Sequence, residues 1–397
     1  MQDNSSETLA ATQDQCASSI SGSLWETIDD SDDFRLERSG RYLKATLLSP
    51  HRVLSTSALN GGLQTCLRYL VNHQSCEARD HQERHELLKR LGLEGYHRAV
   101  CQELGVDPEL TAVMGTAANM NYAGMAVCQD DGLQATAVVT AGVQGNAACA
   151  GDPAQWRETG AGWEKINPLA GTINTMLFLN CPVTDGALAR AVVTMTEAKS
   201  AALFRLSVGS LYSADLATGT GTDQYCIAVP AQGEPMLTST SPHVKLGELI
   251  GVAVRDATLR ALQWQNGLEP SYTRGLYHCL GRYGLTEQTL YGLLATMLTE
   301  RQMELFRRNE KAALYEPLVS AAAYAFTAVL DRVRYGTLPA GVAREAMRQQ
   351  GACLAAALAA KTEQWQTFYH SLPTPDPDQP VPFLCAAIAQ GWASKWS

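Results

Sequence analysis

Between residues 41 and 230, apolar and polar side chains alternate every second position in several short stretches; beyond residue 270 they recur every three to four positions. The first period is that of half-buried strands and the second that of helix faces. Tyr42–Leu48 and Arg52–Ser57 predict two strands around the turn Ser49-Pro50-His51. Thr111–Thr116, Tyr122–Val127, Ala135–Thr140 and Gly171–Leu179 predict four more. Helical spacing covers residues 81–104, interrupted near Gly92 and Gly95. It also covers Ala187–Leu206, started by Thr184-Asp185-Gly186, and residues 241 to about 264, closed by Asn266-Gly267. From residue 271 only helices are predicted: one stripe through Leu290, Leu294, Leu298 and Leu305, then Pro317–Tyr335, then the alanine-rich 340–361. A proline-rich strap and a short last helix follow. The fold class expected is α+β, a mixed β-sheet core with packed helices at 41–267 followed by an all-helical C-terminal extension at 271–397.

Charge changes the picture mainly by where it sits. The net charge is −9, but residues 1–34 hold eight acidic residues and no Lys or Arg, leaving −1 for the rest. Rich in Ser, Gln and Asp, that stretch is expected to be a disordered acidic arm with Trp25 as its docking point. The nearly neutral body has no basic stripe, so a nucleic-acid partner is not expected. No apolar run reaches a membrane span and no basic-flanked apolar leader is visible, so a cytoplasmic location is expected. The eleven cysteines are scattered without a Cys-x-x-Cys pair, which reads as buried thiols. His81 and His85 share a helix face, but no third ligand stands near them and an exposed charged face accounts for the spacing.

Candidate chemistry gathers on loops. In residues 214–230 a glycine-threonine turn runs into an apolar strand. Gly219 and Gly221 let backbone N–H groups converge on an oxygen, while Thr218, Thr220, Thr222 and Asp223 add hydroxyls and a carboxylate. A second glycine-rich loop, 141–152, offers Asn146 and Asp152. Asn72 and His73 form a polar pair just past an apolar segment. Glu197 lies beside the apolar stripe of its helix, next to the small Ala201. His243 opens the helix after residue 241.

Seven stretches taken together resemble the adenosylcobinamide amidohydrolase family of corrinoid-salvage enzymes. They are Pro50–Ser55; Asn72-His73-Gln74; Val139–Gly142 with Asn146-Ala147 and Gly151-Asp152; Gly171-Thr172-Ile173-Asn174 with Asp185–Leu188; Thr196-Glu197-Ala198-Lys199; Ala217–Asp223; and Lys245–Gly251. The likeness spans about residues 41–267. It implies hydrolysis of the amide between a corrin-ring propionyl group and its aminopropanol arm, giving cobyric acid for salvage or remodelling, with complete cobamides as further substrates.

An unactivated amide needs a base, an oxyanion site and a proton for the leaving amine. For these roles the expectation is Glu197 or Asp223 as base, with Thr220 and the groups around Thr218–Thr222 at the oxyanion. Substrate contacts are expected from Asn72, His73, Asn146, Asp152, Thr172, Asn174, Lys199, Thr218, Gly219, Gly221, Thr222 and His243. A Gly-Thr junction opening a strand is also the arrangement of autoprocessing N-terminal nucleophile hydrolases, which gives Thr172 a second reading. No cofactor and no catalytic metal are expected, the cobalt belonging to the substrate, and Asp-x-His-x-x-Gly is absent around His243. The partner expected is a small corrinoid, with a second subunit as one way to cover the C-terminal stripes. The alternatives are a corrinoid-binding or sensing protein without turnover, or a nucleotide enzyme. The latter lacks a Gly-Lys-Ser/Thr or dinucleotide fingerprint.

Overall fold

The computed structural model describes residues 25–75, 81–159, 162–165 and 171–395. The chain divides into two compact units. One holds the chain up to Arg205 together with Ala217–Gly267, and the other holds Leu206–Leu216 together with the chain from Leu268.

Among the described residues, the first unit carries every strand. β1 (Glu26–Asp30), β2 (Phe34–Ser39), β3 (Tyr42–Leu47), β6 (Tyr69–Gln74) and β7 (Thr111–Thr116) form a five-stranded sheet in that order, antiparallel except for the β6–β7 pair. A six-stranded sheet runs β5 (Gly62–Gln64), β4 (His51–Ser55), β13 (Gln224–Pro230), β12 (Ile173–Leu179), β9 (Leu133–Ala141), β8 (Gly124–Asp130). Only its central pair, β12 and β13, is parallel. β10 (Trp156–Thr159) and β11 (Gly162–Lys165) make a separate hairpin.

Alternation sets the faces. In β2, Phe34 and Leu36 are buried while Arg35 is exposed, whereas all seven residues of β12 are buried, as in a strand covered on both sides. Phe34, Leu36, Leu43 and Met114 share a buried cluster with Met176, Phe178, Cys226 and Ala228, so the two sheets pack face to face. Phe34 stacks on Phe178 with ring centroids 3.9 Å apart. α1 (His81–Leu104) covers the outer face of the five-stranded sheet, placing Val100 and Cys101 against Tyr42, Val71 and Val113. α2 (Asp185–Arg205) and α3 (Lys245–Asn266) cover the outer face of the other sheet. The unit therefore has four layers, helix, sheet, sheet, helices, and is α+β as expected.

Several expectations are corrected. The acidic arm was to reach residue 34, but Glu26–Asp30 is a strand paired with β2. Two of its charges are met across the strands, Arg38 to Glu26 at 2.7 Å and Arg35 to Asp30 at 3.0 Å, and Trp25 lies under Lys44 at 4.1 Å. Residues 1–24 lie outside the described ones, as do the side chains of His81 and His85. The two strands around Ser49-Pro50-His51 are present as β3 and β4 but enter different sheets.

The second unit is helical: α4 (Pro270–Thr273), α5 (Leu276–Leu280), α6 (Glu287–Met297), α7 (Glu300–Leu314), α8 (Pro317–Arg334), α9 (Ala340–Ala359), α10 (Trp365–Ser371) and α11 (Pro380–Ser394). Its core contains Leu290, Phe306, Phe326, Phe383 and Trp392. The single stripe expected through Leu290–Leu305 is cut at Thr299. Its hydroxyl accepts from the Gln302 N–H and its own N–H donates to Gln302, so a capping box starts α7. Residues 206–216 were placed in the core by sequence and belong instead to this unit. Among the described residues no single helix is long and apolar enough to cross a membrane.

Phe34→Ala opens a cavity between the sheets, and a loss of about 3–5 kcal/mol is expected in denaturant unfolding; an unchanged midpoint would place β2 outside the core. Burial also pushes the His97 and His278 rings below the ordinary histidine range. The unfolded chain then binds more protons than the folded one below about pH 6.5, so stability is full above that value and falls as pH drops toward the lower folded values. Replacing both rings with Gln should flatten this slope in a pH series of melting temperatures.

Candidate active site

The parallel pair β12 and β13 sets the geometry. Asn174 lies opposite Gln224, so the chain enters both strands at the same edge, through Gly171-Thr172 and through Ala217–Asp223. β9 runs antiparallel to β12 and ends beside it, Ala141 opposite Ile173, which delivers the loop 142–152 to that edge as well. Three segments far apart in sequence thus converge.

Asn146 ties them together. Its amide donates to the carbonyls of Gly171 at 3.1 Å and Thr220 at 2.5 Å. The hydroxyl of Thr172 donates to Thr222 O at 2.7 Å, and that of Thr222 returns to Gly171 O at 2.8 Å. Backbone bonds add Ala148 N–H to Gly219 O and Thr218 N–H to Ala148 O, both at 2.9 Å. Gly171 has φ +154°, and a Cβ there would stand 3.0 Å from the Asn146 Cβ, so the junction admits only glycine.

Asp223 is the centre of this edge. One carboxylate oxygen accepts from the Thr220 hydroxyl and from the Ile173 N–H at 3.1 Å; the other pairs with Lys199 of α2 and accepts from the Thr220 N–H at 3.4 Å. Gly219 fits this centre by size: a Cβ would lie 2.3 Å from the Asp223 carboxylate and 2.9 Å from the Lys199 ammonium. Beside the pair is a cavity of about 210 Å³ lined by Ile173, Thr175, Met195, Thr196, Lys199, Asp223, Gln224 and Tyr225. Burial pushes the Tyr225 hydroxyl above its ordinary range, with the neighbouring Cys226 adding to the shift.

The structure brings together Asn146, Thr172, Lys199, Thr218, Gly219, Thr220, Gly221, Thr222 and Asp223 from the expected set. Asp152 closes its own loop by accepting from the Cys149 N–H at 2.6 Å. Asn72 and Asn174 are interior: Asn174 donates to Asn72 at 2.9 Å and Asn72 to Thr140 at 2.8 Å, a polar chain joining the two sheets. His73 is fully buried, stacked on Tyr42 with centroids 4.6 Å apart. Glu197 is exposed and does not line the cavity. It stands two residues before Lys199, about 200° round the helix. His243 precedes α3, a 22-residue helix whose other end, at Asn266, accepts the Val143 N–H. That puts it about 33 Å of helix away. The N–H groups of Thr218, Gly219 and Thr220, expected at an oxyanion, are spent on Ala148 O and Asp223.

Thr175, Met195, Thr196, Gln224 and Tyr225 were missed. Met195 and Thr196 stand four and three residues before Lys199, the spacing of one helix face, and Tyr225 stands two after Asp223, the spacing of one strand face. Those periods would have found them. Among the described residues, no three His, Cys, Asp or Glu side chains gather as a metal-binding group.

Residues 25–270 match the model of the family described as adenosylcobinamide amidohydrolase. The chain belongs to that family. The uncharacterized protein MJ1613 of Methanocaldococcus jannaschii is 35% identical over 183 residues, 44% of this chain and 71% of that protein. The crystal structure of the PH0078 protein from Pyrococcus horikoshii OT3 aligns over 60% of this chain and 83% of that one, at 11% identity and a TM-score of 0.29, too low to carry an argument. The amidohydrolase family match begins just before β1 and ends just past Gly267, so it includes all three converging loops and α2, together with Leu206–Leu216 of the second unit.

Gly219→Ala is expected to part Lys199 from Asp223, because the carboxylate is pinned by four donors and cannot retreat. Any ligand of this edge should then bind or turn over at least about tenfold less well, while the loss of stability stays in the range of overpacking, about 1–3 kcal/mol. Ligand response and melting of the variant, measured side by side, check this.

Proposed function

We propose that this amidohydrolase-family protein cleaves the amide between the corrin propionyl group and the aminopropanol arm of adenosylcobinamide, releasing cobyric acid and aminopropanol for corrinoid salvage or remodelling in the cytoplasm. One observation carries the placement of the reaction: the Lys199–Asp223 pair, inside the family-matched region, stands at the wall of a cavity. At about 210 Å³ the cavity is smaller than the roughly 300–1,000 Å³ of pockets that enclose drug-sized ligands. It suits an amide-bearing arm, with the corrin ring remaining outside. The reading calls for no resident cofactor, since the cobalt arrives in the substrate.

In this reading Lys199 does the electrostatic work. An ammonium has three N–H donors; Asp223 holds one, which leaves two to meet the amide oxygen as water adds to its carbon and to hand the leaving amine a proton as the C–N bond breaks, a proton that Lys199 recovers from the water that attacked. Asp223 orients Lys199. Its carboxylate has about four acceptor sites and four donors already on it, so it is poorly placed to take a proton from water. Thr220, fully buried, fixes Asp223 in turn. Tyr225 and Met195 give the arm its walls.

Incubation with adenosylcobinamide and identification of the corrin product by mass tests the reaction; a spectral shift on binding without cobyric acid would favour the corrinoid-binding alternative. Lys199→Met is expected to lower kcat by at least about a hundredfold, the usual scale for removing a group that moves a proton or holds an oxyanion, and Asp223→Asn by about a hundredfold through misplacement of the ammonium it orients. Glu197→Gln is expected to stay within about threefold of the parent, on the ground that an exposed side chain off the cavity makes no contact that changes in the transition state. A hundredfold fall in that variant would return the base role to Glu197.

A further inference from the structure

The cavity beside Lys199 and Asp223 has two levels. In the parallel pair Thr175 lies directly opposite Tyr225, and Ile173 and Asp223 stand two residues before them. Residues two apart on a strand return to the same face, as do direct partners on neighbouring strands, so these four side chains form one patch, and all four line the cavity. Asn174 and Gln224 turn to the opposite face, where both bond Gly115 of β7. α2 runs back over the patch. It starts at the far end of the strands, where Asp185 pairs with Arg52 opposite Val229, and near its own end Lys199 reaches Asp223. Met195 stands one turn, or about 5.4 Å, before Lys199, close to the step of about 6.6 Å from Ile173 to Thr175. Lys199 thus belongs with Asp223 and Ile173 at the first level, and Met195 with Thr175 and Tyr225 at the second.

Thr175 is the group that the second level leaves unanswered. It is 3% exposed and lines the cavity, and among the described residues its hydroxyl makes no hydrogen bond. The other threonines of this edge are committed. Thr172 donates to Thr222 O, Thr222 to Gly171 O, Thr220 to Asp223, and the exposed Thr196 to Val192 O at 2.8 Å. Thr218 accepts from the Ala150 N–H at 2.9 Å. A buried hydroxyl without a partner costs stability, whereas valine has the same branched outline, suits a strand as well and carries no such penalty. A hydroxyl kept at this position is one that a group entering the cavity can use.

We propose that Thr175 is a specificity-determining residue whose hydroxyl pairs with the hydroxyl of the aminopropanol arm. This rests on the amidohydrolase reading, which sets the scissile amide at Lys199. The arm carries its hydroxyl a few bonds past the amide carbon, a reach comparable with the step of about 6.6 Å between the two levels. Each hydroxyl both donates and accepts, so the two satisfy one another whichever way their protons turn. An arm ending in plain alkyl would instead cover Thr175 with carbon and leave it unpaired. A site built to bond a substrate hydroxyl rejects the analogue lacking it for that reason.

Two substrates and one side chain test this in the full-length protein: adenosylcobinamide, and its analogue with propylamine in place of aminopropanol on the same propionyl group. The parent is expected to cleave the hydroxylated arm with a kcat/KM about ten- to a hundredfold higher, the scale of one buried hydroxyl losing its partner. Thr175→Val is expected to melt like the parent and to bring the two arms within about threefold of each other, while Thr175→Ser keeps the preference. A parent that cleaves both arms alike overturns the proposal, and that measurement needs no variant to fold. A Thr175→Val protein that keeps the preference overturns it too, whether or not its rates fall, since an equal loss on both arms marks a threonine that holds water or structure. If the parent cleaves neither substrate, the amidohydrolase reading fails, and the affinities for the two corrinoids, measured by calorimetry, decide the contact by themselves. Equal affinities in the parent, or a preference that Thr175→Val leaves standing, then overturn it; a preference that Thr175→Val abolishes upholds it.

Discussion

The Asp223 carboxylate is the constraint on which this edge of the molecule depends. It accepts from a strand backbone, from its own loop and from a helix. One side chain therefore fixes where β12 begins, how the 217–223 turn closes and how α2 is rotated. A carboxylate with all its acceptor sites filled is a rigid part, because any single displacement strands other donors in a half-buried place where an unmade hydrogen bond costs roughly 1–3 kcal/mol. Its neighbours are shaped by the same demand: Gly219 has no side chain because the carboxylate and the ammonium occupy the space one would need.

Around this centre the protein uses polar groups in two distinct ways. Those at the edge, Asn146, Thr172 and Thr222, stitch three loops into one surface. Those in the interior, Asn72, Asn174 and Thr140, join two sheets that otherwise meet through apolar contacts. The interior chain specifies the relative position of the sheets more sharply than Leu or Met packing can, since a slip of either sheet would leave buried amides unpaired. Preorganisation at the cavity thus begins in the core, several residues away from it.

Much of this was legible in the residues. Period-two alternation located β3 and β4, each with one covered and one less covered face, β7 and β9 are buried nearly throughout and show as short apolar runs, and Gly267 closed α3 where an αL residue is needed. The converging glycine-rich loops were found by their chemistry. Three things were not legible. Composition alone made residues 25–34 look like a disordered tail, because the pairing of β1 with β2, which sets Glu26 against Arg38 and Asp30 against Arg35, comes only with the fold. Which face of α2 meets the cavity was hidden as well, since Glu197 is exposed while Lys199, two residues on, lines it. The exchange of Leu206–Leu216 between units depends on long-range ion pairs such as Asp215 with Arg334, 119 residues apart, for which a local window has no signal.

The way the chain crosses between the units has a consequence for how it can be divided. A domain attached only at a chain end has one junction, and a single cut removes it. Here the helical unit is discontinuous in sequence: it contains a short piece from inside the family-matched region, so no single cut separates it from the rest. A cut at Gly267 alone would part Ala214 from Arg282 and Asp215 from Arg334, and would leave the helices without the segment they close upon.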